Sequence, residues 1–132
     1  MKAVRDFKDF LKEGIVKRQG ADKSRAEFLI RGSEQDYQAI LKMIKKLEIN
    51  DENANTYIKN CYDVLMEIMR AKMLLDGYNA SGFGAHEAEV SYLRELGFSE
   101  NDVQFANQLR FFRNGLLYNY GAMLDKEYAV KY

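Results

Sequence analysis

Arg113, Asn114, Tyr118 and Tyr120 stand among the most hydrophobic residues of the chain, in the run FFRNGLLYNYG that spans 111–121. A guanidinium carries a fixed fork of donors and suits a phosphate or a carboxylate held at two points. An asparagine amide both donates and accepts, and a phenol can hydrogen-bond or stack on a nucleobase. A phenol titrates near ~10, so at neutral pH it is a poor general base. Arg110 lies one helical turn before Arg113, and Asn107 lies seven residues before Asn114, which makes a polar stripe. Such a set suits a partner, a cleft or a subunit interface rather than plain core. The structural alternative is an Arg113 ion pair to Glu67 or Asp63 that holds helices in register. In that alternative the tyrosine rings finish a core with their hydroxyls in water, and the Asn107, Arg110 and Asn114 stripe is a solvated or interface face.

At ~100° per residue, Val103, Phe105, Ala106, Leu109, Phe112, Leu116 and Leu117 spread over one broad apolar face, with Arg113 near its middle. A buried, unpaired charge costs several kcal/mol, so Arg113 requires a partner, a cleft or a subunit interface. Tyr120, seven residues on, falls almost beneath Arg113, while Tyr118 is turned ~140° away unless Gly115 bends the segment.

Other chemistry is sparse. His86 is the single histidine and sits in the glycine-rich stretch DGYNASGFGAH, where it is either a structural helix-start residue or a base brought to Arg113 by folding. Cys61, the single cysteine, falls on an apolar helix face and reads as inert core. Met66, Met69 and Met73 read as adaptable packing or part of a dimer seam. No cysteine or histidine spacing suits zinc and no carboxylate pair stands out as a metal site, so neither metal nor cofactor is expected. One histidine nearly excludes the common nucleophilic triads.

The elements that must position these groups read as nearly all helix, because the chain has no proline and its apolar residues recur at three and four. A short amphipathic start (Phe7, Phe10, Leu11) leads to the turn RQGAD. A capping box at Ser24 and Glu27 then predicts a long helix over about 22–48, with Ala26, Leu29, Tyr37, Ile40, Ile44 and Leu47 as its stripe. Gly32 and the second cap SEQD leave open a restart at Ser33. INDEN opens a helix over about 52–77, whose face is Tyr57, Cys61, Leu65, Ile68 or Met69, and Leu75. A third helix spans about 85–96. Gly97 stops it, and Ser99 and Asp102 start the last one, which runs from about 100 towards 117. No strand, repeat or linker is evident. The expectation is one all-α domain over 1–132, an up-and-down bundle of four to five helices.

Of 132 residues 47% are hydrophobic and 30% charged, enough for one core with a soluble surface. Twenty basic residues balance twenty acidic ones, so a general electrostatic grip on nucleic acid is not expected and any contact is local. The balance is uneven along the chain: 1–31 carries nine basic against five acidic side chains. The N-terminal MKAVRDFKDFLKEG has charges throughout, unlike a signal peptide, and no apolar run suits a membrane span, so a cytoplasmic protein without membrane contact is expected.

At RNGLLYNY the sequence resembles the HEPN family of helical bundles. Their motif is an arginine, four to six residues and a histidine near the end of the last long helix. Here Arg113 is followed by Asn114, as is frequent in the family, and Tyr118 stands where histidine is expected. Tyr120 matches a tyrosine of one toxin branch. LLDGYNASGFGAHEAEVSYLRELG is similar to the family's third-helix segment, and FKDFLKEG with ADKSRAEFL to several small prokaryotic members. The resemblance implies a homodimer acting as a metal-independent ribonuclease, in which arginine binds the scissile phosphate and histidine helps activate the ribose 2'-hydroxyl. With Tyr118 in the histidine's place, it implies weak or absent cleavage, or a cleft that holds RNA, a nucleotide or a partner. It also implies pairing with a minimal nucleotidyltransferase, which in one branch attaches AMP to the tyrosine matching Tyr120. Arg113 and Tyr118 are thus the candidate catalytic residues, with Asn114, Tyr120 and Arg110 the candidate ligand-binding ones. A non-enzymatic interaction module and a plain structural homodimer are the competing readings.

Overall fold

A computed structural model describes residues 3–114; Gly115, Tyr118 and Tyr120 lie outside the described residues. Its elements run α1 (Phe7–Lys12), β1 (Val16–Arg18), α2 (Lys23–Leu47), α3 (Ala54–Leu75), β2 (Tyr78–Ala80), α4 (Ala85–Glu95) and α5 (Glu100–Phe111). The architecture is a helical bundle, 71% helix, with five helices among the described residues.

The expectation of no strands is overturned. β1 and β2 pair antiparallel, with Val16 opposite Ala80, Lys17 opposite Asn79 and Arg18 opposite Tyr78. Each strand is only three residues long, so neither carries a readable alternation, and their pairing depends on residues far apart in sequence. Gly77 makes the approach possible. Its φ of +88° favours glycine, and a Cβ there would lie 2.9 Å from the carbonyl oxygen of Gln19.

α2 is continuous through Gly32, so the restart at Ser33 does not occur. Ser33 is buried, and its hydroxyl donates to the carbonyl of Ile30 at 2.8 Å, which removes it as a helix start. The start itself is shifted from the capping box at Ser24 and Glu27. Asp22 is the N-cap, accepting from the Arg25 amide at 3.1 Å. Along the expected stripe Ala26 and Ile40 are buried, but Tyr37 and Leu47 are exposed because α2 packs chiefly on α3 and has one buried side. On α3, Tyr57 and Met69 face inward, whereas Ile68 and Leu75 are exposed.

The main core joins Phe7 and Phe10 of α1, Val16 of β1, Ile58, Tyr62, Met66, Met69 and Met73 of α3, Val90 and Leu93 of α4, and Val103 and Leu109 of α5. Removing such side chains from water contributes about 1.5–3 kcal/mol each. The three methionines are therefore packing residues, as read from the sequence. α4 ends at Gly97 (φ +90°), and Ser99 caps α5 by accepting from the Asp102 amide at 3.2 Å. Arg94 fastens this corner. It donates to Val4 and Arg5 carbonyls at 2.7 and 2.9 Å and to both oxygens of Glu100 at 2.8 and 2.6 Å.

Candidate functional site

α5 is α-helical to Phe111, and residues 112–114 follow the wider π turn; the rest of the expected course towards 117 lies outside the described residues. Such turns redirect side chains and recur at functional sites. Val103, Ala106 and Leu109 are buried as the wheel requires, while Phe105 is 37% exposed and Phe112 only partly covered.

Arg113 leaves this turn with its side chain 23% exposed, and its Nε lies 3.5 Å from Asp63 Oδ1 on α3. That is one of the two acids anticipated for it, at the long end of hydrogen-bond range. Asn114 is exposed. Arg110 Nε donates to Asn107 Oδ1 at 2.9 Å, and its guanidinium carbon sits 4.9 Å from the centroid of the Phe111 ring. Asn107 is 2% exposed, so the polar stripe it was read into is not a solvated face at that position. Its amide supports Arg110 instead.

Tyr62 of α3 is within electrostatic reach of both arginines and of Glu89. Its side chain belongs to the core, and its hydroxyl is buried with no hydrogen-bond partner among the described residues. Burial pushes its ionisation upward, Arg110 and Arg113 pull it down, and Glu89 and Asp63 push it up. Tyr62 therefore feels charges from α4 and α5 together.

Glu89, on α4, is the acid on the far side. It is 2% exposed, and it accepts from Arg70 Nε at 2.7 Å and Nη2 at 3.2 Å. The bidentate contact raises the Arg70 guanidinium further above its ordinary value. His86, one turn earlier on α4, brings Nδ1 to 3.2 Å from Glu89 Oε1, while its side chain remains 59% exposed. The lone histidine is thus oriented by a buried carboxylate.

An open cleft of about 250 Å³ between α2 and α3 adjoins the Arg113 contact, lined by Asp36, Ile40, Met43, Asn60, Asp63 and Glu67. Its charge is negative. Burial first, then Asp36 and Asp63, raise the Glu67 carboxyl above its ordinary value. This acidic lining repels phosphate. Among the described residues no three histidine, cysteine or acidic side chains gather as a metal site. Cys61 is half-buried in a small apolar cluster, and burial raises its thiol.

The structure therefore brings Arg110 and Arg113 to one end of α5, beside Tyr62; the candidate residues Tyr118 and Tyr120 lie outside the described residues. Sequence reasoning missed Tyr62, Arg70 and Glu89. The His86 and Glu89 spacing in AHEAE was the available signal, since three residues on a helix share a face. No helix of the described residues is long and apolar enough to cross a membrane. The chain matches no protein-family model, no curated protein and no solved structure.

Proposed function

We propose that this chain is a HEPN-type cytoplasmic protein that binds RNA or nucleotide phosphate at the end of α5, in a cleft shared by two copies. It acts as a divergent or inactive metal-independent ribonuclease of the toxin-like kind. The observation that carries the reading is the pair Arg110 and Arg113 beside the buried, unpartnered Tyr62 hydroxyl. Two guanidiniums near one end of α5 suit phosphate oxygens better than a neutral ligand, while the buried Tyr62 ring backs them from the core. The π turn at 112–114 supports it, because it lifts Arg113 out of the regular helix. Asn114 and Arg110 would flank the ligand, Tyr120 would contact it, and Tyr118 would occupy the histidine position without its basicity.

A second reading has its own support. Phe98 and Phe105, seven residues apart, are 50% and 37% exposed, and Phe111 is 49% exposed. This aromatic exposure suits a protein seam, either the homodimer or a nucleotidyltransferase partner, and makes the chain a non-enzymatic interaction module.

Metal-free cleavage of a mixed single-stranded RNA separates these readings, using wild type, Arg113→Ala and Tyr118→His. Cleavage lost in Arg113→Ala, or gained only in Tyr118→His, supports the first. RNA binding by none of the three, together with a dimer by light scattering, supports the second. A monomer at micromolar concentration counts against the shared cleft.

A further inference from the structure

Glu89 collects more donors than its burial requires. It is 2% exposed and is already held by Arg70 at two points, Nε at 2.7 Å and Nη2 at 3.2 Å. That fork satisfies a buried carboxylate by itself. His86 nevertheless brings Nδ1 to 3.2 Å from Oε1, the same oxygen that receives Arg70 Nη2. The contact therefore does more for the imidazole than for the acid, because it fixes a ring that is 59% exposed. A carboxylate only accepts, so Nδ1 carries the proton and the basic lone pair stands on Nε2. Nε2 has no hydrogen-bond partner among the described residues. A buried carboxylate holding one tautomer of an accessible imidazole is the arrangement that orients a general base.

Arg70 supplies the complementary charge. Its side chain is 31% exposed, and Glu89 engages Nε and Nη2 but not Nη1, which keeps donors for a ligand. Because Nη2 and the His86 Nδ1 meet one oxygen, the guanidinium and the imidazole stand within two hydrogen-bond lengths of each other. Of the acids around them, Glu89 is taken up by Arg70, Glu87 lies 3.7 Å from Arg5 Nε, and Glu67 lines the cleft of α2 and α3. Tyr62 relates this pair to α5, since its phenol is within electrostatic reach of Glu89 and Arg70 as well as of Arg110 and Arg113. Tyr62, Met66 and Arg70 recur every four residues on α3 and share one face, about 12 Å from first to last. A strand of a few nucleotides covers that distance.

We propose that His86 is the general base for RNA cleavage, with Glu89 its positioning residue and Arg70 a contact to the scissile phosphate. The inference rests on the RNA reading above for its substrate. Nε2 takes the proton of a ribose 2'-hydroxyl, the freed oxygen attacks the adjacent phosphorus, and the bond to the 5'-oxygen breaks. The imidazolium returns the proton to that leaving oxygen, so the products are a 2',3'-cyclic phosphate and a 5'-hydroxyl, with neither metal nor oxidant consumed.

The test is cleavage of a mixed-sequence oligoribonucleotide in the presence of a chelator, with affinity read separately by anisotropy and a DNA of the same sequence as control. Wild type is expected to cut the RNA and leave the DNA. His86→Ala should keep its thermal melt and its affinity while kcat falls about 100-fold, and free imidazole should restore part of the rate. His86→Gln retains an amide that can donate to Glu89 and is expected to be equally slow, which separates the lost base from a lost contact. Undiminished cleavage in His86→Ala, a loss that imidazole does not relieve, or cleavage of the DNA overturns the proposal. Cleavage gained only in Tyr118→His also overturns it, because the base then belongs at 118. A wild type that binds RNA through Arg113 without cutting it overturns this inference and leaves the phosphate reading standing. Cleavage that survives Arg113→Ala but not His86→Ala keeps the base and removes the phosphate site from α5. Failure of wild type to bind RNA overturns both.

Discussion

Replacing Arg70 by methionine tests whether Glu89 is held by its partner or merely near it. The substitution keeps an apolar stem of similar length and removes both donors, 2.7 and 3.2 Å from the carboxylate. Glu89 then remains 3% exposed with the half-exposed imidazole of His86 as its neighbour. Breaking a buried ion pair costs about 3–5 kcal/mol, and the lower figure applies because 31% of the Arg70 side chain is in water. A loss of about 3 kcal/mol is a large part of the ~5–15 kcal/mol that separates folded from unfolded domains. The double variant Arg70→Met, Glu89→Leu removes the uncompensated charge and is expected to recover at least about 2 kcal/mol of that loss. Urea unfolding followed by circular dichroism on wild type, both single variants and the double variant gives the cycle. A cost under about 1 kcal/mol for Arg70→Met would refute the reasoning, since the pair would then behave as a surface contact. A double variant as unstable as the sum of the singles would refute it equally.

Tyr62→Phe deletes a buried hydroxyl without a partner, so stability is expected to rise by about 1 kcal/mol, read as a melting midpoint about 4 °C higher. A lower midpoint shows that the hydroxyl is satisfied in solution. Gly77→Ala places a Cβ 2.9 Å from the Gln19 carbonyl at φ +88°, and is expected to cost about 2 kcal/mol in the same melt. No change contradicts the close approach of the ribbon. Glu100 is held down from the ordinary carboxylate value of 4.5 to about 2, first by its hydrogen bond from Arg94. A depressed value means that its contribution is complete above the unfolded value and is lost as pH falls from about 4.5 to 2. Wild type should therefore lose more stability than Glu100→Gln across that window, and parallel curves contradict the pairing.

The four longer helices were legible because their apolar spacing and stop signals are local. Gly97 and Ser99 mark the α4–α5 corner in the sequence as they do in the fold. The β ribbon was not legible, since three residues per strand leave no pattern and the partner lies beyond two helices. Tyr37 and Leu47 misled because periodicity reports which side of a helix is apolar, not how much of its length finds a neighbour. At the site, Asp63 was among the anticipated partners of Arg113. Burial of Glu89 was not anticipated, for it depends on Arg70 arriving from another helix, 19 residues away. Isolated residue types say what chemistry is present, while the pairing that tunes it is a tertiary property.

The ribbon also sets an order of events. β1 and β2 flank the α2–α3 pair in sequence, so their ladder closes a loop that contains it. Closing so long a loop early is entropically unfavourable, whereas two successive helices can meet through near neighbours in sequence. The helical pair is therefore expected to form first, with the Gln19 and Gly77 contact closing afterwards. Pulse-labelling hydrogen exchange during refolding checks this order: protection of α2 and α3 amides is expected before that of the ribbon amides, and simultaneous protection contradicts it.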